Sequence, residues 1–132
     1  MRFTPILSAV ALALTTNLVQ AASPADACAN LAEARTQLVG MIAEPDAAKL
    51  DDYKTKIHAA SDALDADLDA LAGGPDAAKV DAFRPVWEAF KATRETEIIP
   101  AVYAGDQTKA KAIATGVQAG RMKEMKAAMG CQ

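Results

Sequence analysis

"GGPDAAKVDAF", residues 73 to 83, decides the fold. Two glycines and a proline interrupt the apolar helical repeat that ends at Leu71, and Asp76 stands ready to cap a new helix directly after them. Two further breaks carry the same chemistry, "EPD" at Glu44 to Asp46 and "GD" at Gly105 and Asp106. Between the breaks, apolar residues recur at helical spacing in four segments. Short links between long helices favour antiparallel neighbours. The sequence therefore predicts an all-α chain, an antiparallel up-down-up-down four-helix bundle.

The restart at Pro75 has a near copy upstream. "PDAAKLDDY" from Pro45 and "PDAAKVDAF" from Pro75 open the second and third helices with almost the same residues. A recurring capping solution explains this, with Pro and Asp setting the first turn; duplication of a helical hairpin is the other reading.

The chain begins with features of an export leader. Arg2 supplies a positive region, "ILSAVALAL" (Ile6 to Leu14) an apolar run, and Val19, Gln20 and Ala21 a small-x-small cleavage pattern before Ala22. The run is too short for a membrane span. The expectation is a signal peptide over 1–21, a bundle domain over 22–132 and a periplasmic protein without a transmembrane segment. "ADAC", ending at Cys28, lacks the Leu that usually precedes a lipidated cysteine.

Roughly 110 residues remain after cleavage, enough for one domain with one modest core. Loss of Arg2 with the leader takes the net charge from −3 to −4, and no basic cluster occurs, so nucleic acid is excluded as a partner. Cys28 and Cys131 lie near opposite ends of the mature chain. In an oxidising compartment disulfides persist, and an even number of antiparallel helices returns the chain to its starting end, so a Cys28–Cys131 bridge is expected.

The apolar stripes then expose two anomalies. The first helix offers Leu31, Ala34, Leu38 and Ile42, and the second Leu50, Tyr53, Ile57, Leu64, Leu68 and Leu71, with Ala60 and Ser61 in the middle. The third offers Val80, Phe83, Trp87 and Phe90, then Arg94, then Ile98 and Ala101. The fourth offers Ala110, Ile113, Ala114 and Val117, then Arg121, then Met125 and Ala128, with Gln118 beside that face. Arg94 and Arg121 thus point inward. A buried guanidinium requires hydrogen bonds and a counter-charge; Asp51, Asp62, Asp65 and Asp69 fall on the outer flank of the second helix, which leaves Glu95 and Glu97 as possible neighbours.

The two arginines admit two readings. In the first, an anionic small molecule is the missing partner, and Trp87, Phe90, Arg94, Gln118, Arg121 and Met125 form its binding site. In the second, both arginines reach the rim or pair with Glu97 and Glu124. Pro85 and Pro100 belong to the same question, because each removes a backbone donor from the third helix and bends it, freeing the carbonyls of Asp81 and Thr96.

Other constellations carry less. Met122, Met125 and Met129 form a row that reads as core filling, with copper(I) ligation as the alternative. His58, the only histidine, has Asp62 four residues on and reads as half of a surface pair. No Cys-x-x-Cys-His, G-x-S-x-G, H-E-x-x-H, Walker or dinucleotide motif occurs, and a non-enzymatic protein without a resident cofactor is expected.

The stretch from Phe83 to Met125, through Phe83, Trp87, Phe90 and Arg94, the "AGD" turn and "AKAIATGVQAGR", resembles the second half of the four-helix-bundle sensor domains of methyl-accepting chemotaxis receptors. The resemblance implies a periplasmic bundle that senses a small ligand or carries a cofactor. Without the receptors' membrane spans and signalling domain, the expectation is an accessory protein that binds and does not signal alone. The same half is similar to periplasmic b-type bundle cytochromes, whose haem lies between a methionine early in the first helix and a histidine late in the fourth. Here the fourth-helix position falls near Met125, and Met41 lies at the wrong end of the first. The expected function is ligand binding, with a haem or copper carrier, or a structural bundle that meets a protein partner or a second copy, as alternatives.

Overall fold

The structure, a computed structural model, describes residues 21–132. The expected leader, but for Ala21, lies outside the described residues. Six α-helices form four rods: α1 (Pro24–Ala43), α2 (Leu50–Ala72), then α3 (Ala77–Thr93) and α4 (Ile99–Tyr103) as one rod, then α5 (Gln107–Thr115) and α6 (Val117–Met129) as another. A 3-10 turn, Ala47–Lys49, leads into α2, and a π turn, Arg94–Ile98, joins α3 to α4. The chain is an antiparallel four-helix bundle, as the breaks require. None of the described helices is long and apolar enough to cross a membrane.

Local chemistry sets the ends. Ser23 and Asp26 form a capping box at the start of α1: the Ser23 hydroxyl accepts from the Asp26 amide at 3.2 Å, and the Asp26 carboxylate accepts from the Ser23 amide at 2.9 Å. Asp46 accepts from the Ala48 amide at 3.0 Å, and Asp106 from that of Lys109 at 3.0 Å. Asp76 differs from the expectation. Its side chain caps no amide and instead pairs with Lys79 at 3.1 Å, although both near-identical starts share a 3.0 Å backbone bond, Lys49 to Asp46 and Lys79 to Asp76.

Antiparallel register is visible in the side-chain bonds. Down α2 and up the third rod, Asp51 meets Tyr103, His58 meets Glu95, Asp65 meets Trp87 and Lys91, and Asp69 meets Arg84. Asn30 of α1 donates to Asp67 of α2 at 2.7 Å. The core runs the length of the bundle from Ala27, Leu31 and Leu68 to Met41, Leu50 and Val102.

Cys28 and Cys131 are bridged, their Cα atoms 5.6 Å apart. Gly130 makes this possible. Its left-handed backbone, φ 76°, ends α6, and the following amide of Cys131 returns to the Lys126 carbonyl at 2.8 Å, turning the cysteine toward α1.

The fourth rod departs from the expected single helix. It breaks at Gly116, whose missing side chain is required: a Cβ there would lie 2.9 Å from the Ala112 carbonyl oxygen. The break rotates α6 relative to α5. Val117, expected inward, is 51% exposed, while Gln118, Met122, Met125 and Met129 face the core.

Candidate functional site

Arg94 opens the π turn, and the turn has a sequence cause. Pro100 has no amide hydrogen, so the Thr96 carbonyl loses its helical donor; just before it, the Ile99 amide reaches back five residues to the Arg94 carbonyl. The extra residue shifts the helical phase, and Ile98 and Ile99 are both buried as a result.

The Arg94 side chain is 2% exposed, as the stripe predicted. Its counter-charge, however, comes from within the chain. Nε and NH2 both donate to Glu95 Oε1 at 2.9 Å, NH1 donates to Ser61 Oγ at 2.8 Å, and the guanidinium carbon sits 5.9 Å from the Trp87 ring centroid. Ser61 donates its own proton to the Ile57 carbonyl at 2.8 Å. Burial lowers the Arg94 pKa from its ordinary value, and Glu95 only partly offsets this. On Glu95, burial pushes upward, but the bond to His58 and the charge of Arg94 outweigh it and hold the carboxyl below the usual range.

Two expectations are corrected here. Arg94 lacks no anion, and of its two expected neighbours, Glu95 and Glu97, it is Glu95 that pairs with it. His58 bonds Glu95 at 2.9 Å and forms no ion pair with Asp62. Asp65 is likewise not an outer-flank bystander: half-buried, it accepts from Trp87 Nε1 at 2.7 Å and from Lys91 at 3.0 Å. The indole proton of a fully buried Trp requires such an acceptor.

Arg121 is a different case. NH1 donates to Thr93 Oγ1 at 2.7 Å and to Gln118 Oε1 at 3.0 Å, both neutral oxygens. Gln118 is itself 1% exposed and fixed by its amide, which donates to the Phe90 carbonyl at 2.9 Å. Among the described residues no carboxylate pairs with Arg121, and its Nε and NH2 have no protein partner. Glu124, the partner expected, shares a groove with Arg121 without an ion pair. That groove, about 520 Å³, runs between α3 and α6, with Pro85, Val86 and Ala89 on one wall and Val117 and Gly120 on the other.

The six residues read as one site therefore separate. Gln118 and Arg121 act together. Trp87, Phe90 and Met125 are packed in the core, Trp87 and Phe90 stacked at 5.7 Å, and none of the three lines the α3–α6 groove. Thr93 is the member that sequence reasoning missed; Glu95 was expected as a possible neighbour of Arg94, and Ser61 was placed on the apolar face of α2 without a role. A serine in the middle of the apolar face of α2 was the signal for Arg94, since a buried hydroxyl on such a face needs a polar partner.

The side chains do not fit an axially ligated haem. Met41 and Met125 are core residues at opposite ends of the bundle, and His58 stands on α2 bound to Glu95. Met122 and Met129 pack in the core with Met125. Among the described residues, no group of three or more His, Cys, Asp or Glu side chains is placed to hold a metal ion. Comparison of the chain with models of protein families, with curated proteins and with solved structures finds no match.

Proposed function

We propose that the protein is an exported, non-enzymatic four-helix bundle that binds a small carboxylate at Arg121, as a ligand-binding or sensor-like accessory to another protein. The observation that carries this is the state of Arg121: a half-buried guanidinium, fixed by two neutral oxygens and left without an anion. Burying Gln118 in an otherwise apolar core is unfavourable unless its bonds are made. Here they serve to hold a cation in one orientation, which reduces the ordering cost of binding. The free edge of the guanidinium suits a carboxylate, and the apolar walls from Pro85, Val86 and Val117 suit a small hydrocarbon or aryl body. The Cys28–Cys131 bridge supports an oxidising compartment, consistent with the Ile6 to Leu14 leader.

A thermal-shift and calorimetric series of small carboxylates, with benzoate as the first probe, tests the proposal. Binding stabilises the fold by about 2.7 kcal/mol at one hundred times the dissociation constant. Arg121→Gln removes the shift, and Gln118→Leu weakens it by freeing the guanidinium. A carboxylate response that survives Arg121→Gln, or no response across the series, contradicts the proposal.

A further inference from the structure

A groove runs along the seam between α1 and α6, and the side chains explain why. Ala25, Ala29 and Ala32 on α1 face Ala119 on α6, and methyl groups do not bridge two helices. A groove of about 900 Å³ results, lined by Leu31 and Met122 and, toward one end, by the Cys28–Cys131 bridge. From Pro24 to Thr36 it extends roughly 18 Å at the helical rise.

The charged side chains along the groove are all of one sign. Arg35, Lys123 and Lys126 line it, no carboxylate side chain does, and none of the three cations forms an ion pair among the described residues. In a chain of net charge −3 this is a local reversal of sign. Register places the cations. Arg35 lies about two turns along α1 from Cys28, and Lys123 about two turns back along α6 from Cys131, so antiparallel packing brings them level. The groove thus has an apolar end at the disulfide and a cationic end two turns away.

We propose that this groove binds a single-chain fatty-acid carboxylate, the acyl tail lying over Leu31 and Met122 toward the disulfide and the head group between Arg35 and Lys123, with Lys126 alongside. Polarity, length and sign each match that occupant. A cationic amphiphile fits the shape but not the charge, and a short anion fits the charge but leaves the apolar floor wet. The site is separate from Arg121, which lies on the opposite flank of α6.

Titration calorimetry of the protein with laurate below its micellar concentration tests this. The expected result is one saturable site, with laurate at least about tenfold tighter than dodecyltrimethylammonium. Lys123→Glu weakens laurate by about tenfold or more. Ala32→Leu, at an exposed position where the fold tolerates a larger side chain, reduces binding by filling the groove. Benzoate, too short to cover the floor of this groove, does not displace laurate from it, so failure here and failure at Arg121 are read separately. Equal affinity for the cationic amphiphile, or no effect of Ala32→Leu, overturns the proposal. Adsorption to anionic phospholipid vesicles that laurate does not compete away also overturns it, in favour of a membrane surface.

Discussion

The first hairpin of the bundle and the second are built on different terms. In α1 and α2 the buried positions are apolar except Ser61, and the two helices run without interruption. The other two rods carry Arg94 and Gln118 in their core, a proline inside α3, a π turn before α4 and a break at Gly116. The π turn and the break each adjoin a polar group. Arg94 heads the π turn, and Gln118 follows the break by two residues. The regular hairpin buries one polar side chain, and the irregular one fixes two guanidinium groups.

The largest expected effect is on the bond that ties the two hairpins together. The Cys28–Cys131 bridge spans 103 residues of sequence across the open α1–α6 seam. Its reduction lowers stability by about 4.7 kcal/mol on the loop-entropy model, measured by denaturant unfolding with and without reductant. Free thiols in protein isolated from its native cells would remove the compartment argument.

Next is the polar layer itself. Arg94→Met leaves the Glu95 carboxylate without its cation and Ser61 without its donor, and destabilises the protein by about 1 to 3 kcal/mol. An unpaired arginine would give the opposite sign, because removing an uncompensated buried charge stabilises. The same layer sets an acid limit. Glu95 has a folded pKa below its unfolded value, so its contribution is complete above the unfolded value, about 4.3, and is lost as pH falls through the folded one. Below about pH 4, stability therefore falls more steeply with pH for the native protein than for Arg94→Met, as measured by denaturant unfolding at a series of pH values. Equal slopes would mean that the pair carries no linkage.

A smaller effect is expected at the break. Gly116→Ala drives a Cβ against the Ala112 carbonyl and costs about 1 to 2 kcal/mol by thermal melting. A gain in stability would mean that the fourth rod straightens without penalty. The smallest belongs to Met125→Leu, a volume-conserving core change costing under about 1.5 kcal/mol. Loss of bound copper from that variant would give the methionine row a role beyond packing.

The same division governs how far the sequence could be read. In α1 and α2 the apolar period runs unbroken, and Leu31, Ala34, Leu38, Ile57, Leu64 and Leu68 are buried as the period predicts. Tyr53 is only half-buried, because it lies across Gly40 at the helix surface. In the fourth rod the stripe extrapolated through Gly116 named Val117 and Arg121 where Gln118 and Met122 are buried: a 3.6-residue period cannot report a phase jump. Arg94 was legible, since it interrupts an apolar stripe, and Glu95 stood among its expected neighbours. Arg121 lies only half-buried beside the stripe that named it, and its acceptor Thr93 looks neutral in sequence. The distinction between a satisfied Arg94 and an unsatisfied Arg121 exists only in three dimensions.

That distinction is also the claim most open to direct measurement. The Nε–H resonances of arginine side chains can be followed by nitrogen-edited NMR while benzoate is added to the protein. The Arg121 resonance is expected to shift with saturation, together with amides of Val117 to Glu124 and Val86 to Ala89, while the Arg94 resonance stays in place beside Glu95. Movement of Arg94, or of neither arginine, would contradict it.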